Sequence, residues 1–71
     1  MAKLNFVTRR FARNLQRTRE AAGLTRSALA AKAKISAAYM TQLEQAQREP
    51  SIVMVARLAK ALRVKPGDLL D

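Results

Sequence analysis

Apolar residues return at helical spacing through most of this chain, and nowhere do they alternate with period two over the length of a strand. From about Phe6 to Ala22 the pattern turns Phe11 and Leu15 inward with arginines between them, and Gly23 supplies a stop. Thr25 is placed to cap a second helix reaching about Ala33, with Leu29, Ala30 and Ala33 inward. Ser36 is placed to cap a third, to about Gln45, with Met40 and Leu43 inward. "QREPS" then breaks the pattern, because the residue before Pro50 resists the helical region. Ser51 caps a fourth helix to about Leu62, with Ile52, Val55, Leu58, Ala59 and Leu62 at core spacing. In "KPGDLL" a short fifth helix has Pro66 in its first turn and Asp68 near the positive end of its dipole. The pattern therefore predicts an all-α compact bundle of about five short helices, one domain over residues 1–71, with residues 1–5 as a flexible N-terminal arm.

Composition narrows the function. A chain of 71 residues holds one small domain, and 49% apolar residues, many of them alanine, suit close helix contacts. Cysteine and histidine are absent, which removes disulfides, thiol chemistry and the usual zinc ligands. Five acids with no evident pairing leave no acid, base and nucleophile set, and the serines fall at caps, so no enzyme, cofactor or metal site is expected. No apolar run reaches membrane-spanning length and no leader is recognisable, which fits a cytoplasmic protein.

Charge is the strongest global signal, at a formal net +9. Lys3 to Lys34 carries nine basic residues against one acid, Glu20, while the remainder carries five against four. An excess gathered in one half suits a face held near a polyanion. Nucleic acid is favoured because arginine, which matches phosphate geometry, outnumbers lysine. A solubilising surface without a partner is the plain alternative.

The second and third helices, joined by a three-residue turn, have the form of a helix-turn-helix unit. Ala30 provides the small side chain needed where the two cross, and Leu29, Ile35, Met40 and Leu43 anchor both on the rest of the domain. Ala38, Thr41, Gln42 and Gln45 fall on the opposite side of the third helix. Small neutral residues allow that helix to approach bases in a DNA major groove: alanine and threonine methyls meet thymine methyls, and glutamine pairs with an adenine edge. A well-formed helix packed in a bundle accounts for the same residues without any DNA.

The stretch "GLTRSALAAKAKISAAYMTQLEQAQREPSIVMVARLAKALRVKPGDLL" resembles the lambda-repressor-like (Xre-type) DNA-binding domain, with "GLT", "LA", "LE", "PS" and "LAKAL" in family register from about Phe11 to Leu70. At this length it is similar to small phage-type regulators and restriction–modification controller proteins. The resemblance implies base-edge contacts from Ala37, Ala38, Thr41 and Gln42. It implies phosphate contacts from Arg26 at the start of helix two and from Gln45, Gln47 and Arg48 in the loop after helix three. Lys34, Ser36, Tyr39 and Arg13 complete the expected phosphate set. Arg19 and Glu44 match an internal ion pair between helices one and three. Three positions depart from the pattern. Lys34 and Ala46 replace common glycines, so Lys34 is expected in a left-handed conformation, and Thr18 replaces an apolar residue. With alanine at two reading positions, Thr41 and Gln42 are expected to do most direct reading and DNA shape the rest.

Arg10, Arg13 and Arg17 form a basic stripe on helix one, fitting either solvent or a phosphate backbone, and Tyr39 fits either core packing or a phosphate. Val53, Met54, Leu69 and Leu70 are candidates for an apolar self-association patch, against the ordinary scatter of exposed hydrophobics. The combined expectation is a DNA-binding transcriptional regulator that occupies an operator as a homodimer. An antitoxin-type module with a toxin as its protein partner, and a general basic nucleic-acid binder, are the rival readings.

Overall fold

The computed structural model describes the backbone of residues 2–71 and the side chains from Phe6 onward. Five helices follow one another: α1 (Ala2–Ala21), α2 (Arg26–Ala33), α3 (Ala37–Glu44), α4 (Ile52–Leu62) and α5 (Pro66–Leu70). Three begin as their sequences dictate. Thr25, Ser36 and Ser51 are extended, and each side-chain oxygen accepts the N–H of the residue three further on, at 3.0 Å. At α5 the Lys65 N–H instead donates to Asp68 Oδ2 at 3.0 Å, so the acid tethers the first turn as well as answering the dipole.

The helix ends share one device. Gly23, Lys34, Ala46 and Arg63 are left-handed, with φ of 73°, 60°, 59° and 60°. The next residue's N–H then reaches back to a carbonyl five positions earlier: Leu24 to Arg19, Ile35 to Ala30, Gln47 to Gln42 and Val64 to Ala59. Leu24, Ile35 and Val64 pack against the core, so in three of the four turns the chain reverses over an apolar anchor. Lys34 thus adopts the conformation expected of it. Only the first turn has glycine; the other three hold a side chain in a region that disfavours one.

The core is Phe11 and Leu15 from α1, Leu29, Ala30 and Ala33 from α2, Met40 and Leu43 from α3, Val55, Leu58, Ala59 and Leu62 from α4, and Leu69 from α5. Its radius of gyration, 10.8 Å, is close to the roughly 11 Å of a compact chain of this length.

Four expectations are corrected. The helix takes in residues 2–5, expected as an arm, because no proline or glycine interrupts "AKLNF" and alanine, lysine and leucine propagate a helix. Ile52, expected in the core, is 88% exposed: it is the first residue of α4, and burial on that helix begins with Met54 and Val55. Leu69, expected on an association surface, is 0% exposed, since it is the residue that α5 buries as it packs against α1 and α4. Met54, expected on the same association surface, is half-buried against the core.

Candidate nucleic-acid interface

Helices α2 and α3 are separated by three residues, Lys34, Ile35 and Ser36. The left-handed Lys34 reverses the chain, Ile35 holds the turn on the core, and Ser36 starts α3. Ala30, 3% exposed, lies between the two helices, where any larger side chain would push them apart. This is the geometry of a helix-turn-helix.

α3 divides cleanly. Met40, Leu43 and Glu44 are buried, Ala37 and Ala38 are exposed, and Thr41 and Gln42 are half-buried at the edge. With 100° between successive residues, Gln42 and Ala38 lie about 160° and 120° around the helix from Glu44. The outward side consequently carries small or neutral side chains, with the Gln42 amide and the half-buried Tyr39 ring as its larger groups.

Around it stand the expected phosphate-contacting residues. Lys34, Ser36, Gln45, Gln47 and Arg48 are exposed. The Ser36 oxygen is engaged as a cap acceptor, which leaves its O–H free to donate. Tyr39 is half-buried with its ring against the core, and the Arg48 guanidinium lies over that ring, 5.4 Å from its centroid. The same guanidinium donates from Nη1 to Gln42 Oε1 at 3.4 Å. Arg48 therefore ties the loop to the outward face of α3, an arrangement the sequence gives no means of foreseeing.

Beneath this face lies a buried charged link. Glu44, whose side chain is 0% exposed, accepts from Arg19 Nε at 2.6 Å and Arg19 Nη2 at 3.1 Å. Arg19 Nη1 donates to the Leu24 carbonyl at 2.8 Å, so the guanidinium also fixes the turn after α1. The hydrogen bond to Glu44 holds the Arg19 pKa above the ordinary arginine value, in spite of desolvation. A raised basic pKa contributes stability at all pH below the unfolded value and loses it only as pH climbs through the folded one, so this arginine stays charged throughout the neutral range.

The expected Arg19–Glu44 pair is thus present, and a third member joins it. Arg26 Nε donates to Glu44 Oε1 at 2.9 Å. Arg26 is half-exposed, and one guanidinium edge faces the carboxylate while the remainder meets water. The pairing fixes the side chain at the N-terminus of α2, where an anion would also feel the helix dipole. Only the folded contact between α2 and α3 brings Arg26 to Glu44, and eighteen positions of sequence separation hide it.

Arg13 is placed elsewhere. It lines a trench with Phe6, Arg9, Arg10, Asn14, Arg17 and Asp71, and no residue of α2 or α3 contributes to it. The expected apolar patch is also rearranged. A groove of about 430 Å³ includes Val7, Pro50, Ile52, Ala56, Pro66 and Leu70 in its lining, with neither Val53 nor Leu69 among them. Among the described residues no helix is long and apolar enough to cross a membrane, and no three His, Cys, Asp or Glu residues gather as metal ligands would.

A family model described as a helix-turn-helix domain matches residues 10–71, and the chain belongs to that family. Two solved structures are similar to it. A restriction–modification controller protein, C.AhdI from Aeromonas hydrophila, superposes with a TM-score of 0.88 at 31% identity, over 92% of this chain and 94% of that one. An HTH_3 family transcriptional regulator from Vibrio cholerae superposes with a TM-score of 0.89 at 23% identity, over 93% of this chain. The chain spans 37% of the length of the Vibrio cholerae protein. Curated protein sequences contain no match to it.

Proposed function

We propose that this protein is a sequence-specific duplex DNA-binding transcriptional regulator that acts by occupying an operator as a homodimer. The observation that carries the reading is the division of α3. Its inner face is locked to α1 and α2 through Glu44, and its outer side offers the small or neutral side chains of Ala37, Ala38, Thr41 and Gln42, with the Arg48 guanidinium against Gln42. Such a face enters a major groove, where Gln42 reads an adenine edge and the alanine and threonine methyls meet thymine methyls. Lys34, Ser36, Arg26, Gln45, Gln47 and Arg48 surround it and hold the flanking phosphates, and Tyr39 directs Arg48. The similarity to a restriction–modification controller along nearly the whole of both chains supports a regulatory role.

The dimer forms, in this reading, through the groove beside Ile52. Ile52 is 88% exposed and Leu70 45%, an apolar surface that a second copy covers while placing two α3 helices on two half-sites. The test is anisotropy of a labelled duplex carrying the preferred site. Gln42→Ala is expected to reduce the preference for that site over bulk DNA by about 1–3 kcal/mol. Ile52→Glu is expected to leave the fold intact, give a monomer in sedimentation and weaken binding. Equal binding of all duplexes by wild type and Gln42→Ala contradicts the specific reading.

A further inference from the structure

Arginines 10, 13 and 17 follow α1 at spacings of three and four and form one exposed line about 10 Å long. Arg19 marks the direction from α1 toward α3, because it is bonded to Glu44. Around the helix, Arg10, Arg13 and Arg17 lie about 180°, 120° and 160° from Arg19. Gln42 and Ala38 point away from the same link on its other side. The arginine line and the reading face of α3 thus each point away from the Arg19–Glu44 link, around their own helices.

The line belongs to a trench of about 440 Å³ lined by Phe6, Arg9, Arg10, Arg13, Asn14, Arg17 and Asp71. Asp71 contributes its only acid. Among the described residues Arg9, Arg10, Arg13 and Arg17 make no ion pair, and Glu20, the one acid of α1, is bonded to Gln16 and lies beside Arg19. Position is also fixed. The Arg10 guanidinium lies 5.1 Å from the centroid of the Phe6 ring and donates to the Asp71 carbonyl, while Asn14 Nδ2 donates to the Leu69 carbonyl. The arginines are at mid-helix, so the dipole at the end of α1 does not account for them. The other basic trench, lined by Lys32, Lys34, Arg57, Lys60 and Arg63, lies instead where α2 and α4 end and their carbonyls attract cations.

We infer that the α1 arginine line is a second, sequence-independent DNA-binding surface that grips the backbone of a duplex segment other than the one read by α3, so that the protein bridges two segments. A strand presents one charge per roughly 3.4 Å of axis, so the line spans about three phosphates. The one small neutral side chain in the trench lining, Asn14, has its amide N–H2 bonded to the Leu69 carbonyl, which suits backbone binding without sequence choice. The inference rests on the duplex binding proposed above.

The test immobilises one duplex on beads, saturates it with protein, and measures capture of a second, labelled duplex. Wild type is expected to capture it. Arg13→Gln/Arg17→Gln should reduce capture about tenfold and lower its dependence on log salt by about 2, at 0.9 per contact, while binding to the immobilised duplex changes little. Arg13→Lys/Arg17→Lys should retain most capture. Arg57→Gln/Lys60→Gln removes the same two charges elsewhere and should capture as wild type does. Melting curves check the fold of each variant. Wild type that binds the first duplex and captures none overturns the inference. So does capture that survives the α1 glutamines or fails equally in both glutamine variants. A parallel fall in binding and capture places the line on the same duplex as α3 and likewise overturns it. Failure of wild type to bind even the immobilised duplex would instead refute the DNA-binding reading itself.

Discussion

Replacing Glu44 by glutamine preserves the size of the side chain and removes its charge, isolating what the carboxylate does between α1, α2 and α3. In the native protein it receives three guanidinium N–H bonds, from Arg19 Nε at 2.6 Å, Arg19 Nη2 at 3.1 Å and Arg26 Nε at 2.9 Å. The amide offers one oxygen where there were two, and aims an N–H2 at a guanidinium that cannot accept it. Arg19 is 9% exposed and has little recourse to water. Breaking a buried pair in this way costs about 3–5 kcal/mol. Arg26 adds less, because its side chain is 39% exposed and such a pair contributes about 0–1 kcal/mol. A domain this small has a total stability of about 4–10 kcal/mol. Glu44→Gln should therefore lose about three-tenths of it or more and lower the Tm by about 12 °C or more. Urea unfolding followed by circular dichroism reads the loss. Arg19→Met/Glu44→Leu, which removes both charges together, should recover most of it. A loss below about 1 kcal/mol in Glu44→Gln would refute the reasoning, since the link would then behave as a surface ion pair.

The helix ends give a second series. Lys34→Gly, Ala46→Gly and Arg63→Gly should each raise stability by about 0.5–1 kcal/mol, because relief of a left-handed side chain exceeds the added entropy of the unfolded chain. Gly23→Ala should lower it by about 1 kcal/mol through the backbone alone, since an added Cβ there meets nothing within 4 Å; chemical denaturation measures all four. Leu69→Ala should cost about 2–5 kcal/mol by opening a cavity in the core. Leu70→Ala should cost under about 1 kcal/mol in the monomer and show itself in the sedimentation equilibrium instead. Arg48→Ala should lower affinity for all duplexes to a similar degree and reduce the salt slope by about 1.

The elements were legible in the sequence because their signals are local. Caps at Thr25, Ser36 and Ser51, the break before Pro50 and the stop at Gly23 each act within a few residues, and the helices begin and end near them. The register of α3 was legible for the same reason: Met40 and Leu43 lie inside, Ala38 is exposed and Gln42 half-buried. Three-dimensional neighbours decided what could not be read. Periodicity placed Ile52 with Val55 and Leu58, yet Ile52 is the first residue of α4 and burial on that helix begins only at Met54 and Val55. It could not rank Leu69 against Leu70, since in a helix as short as α5 the packing angle on α1 determines which is covered. Arg26 is indistinguishable in the sequence from any other arginine until α2 packs on α3 and presents it to Glu44. The Arg48 contacts with Tyr39 and Gln42 depend likewise on the path of a loop whose turn is set by a left-handed alanine.

The central claim is that α3 reads a defined sequence on two half-sites related by two-fold symmetry. Selection of bound sites from a random duplex pool at near-physiological salt tests it most directly. An enriched inverted repeat is expected, one that loses definition at specific positions in each half when the selection is repeated with Gln42→Ala. Recovery of no enriched sequence, with binding that merely collapses as salt rises, would contradict it and leave phosphate attraction as the whole of the interaction.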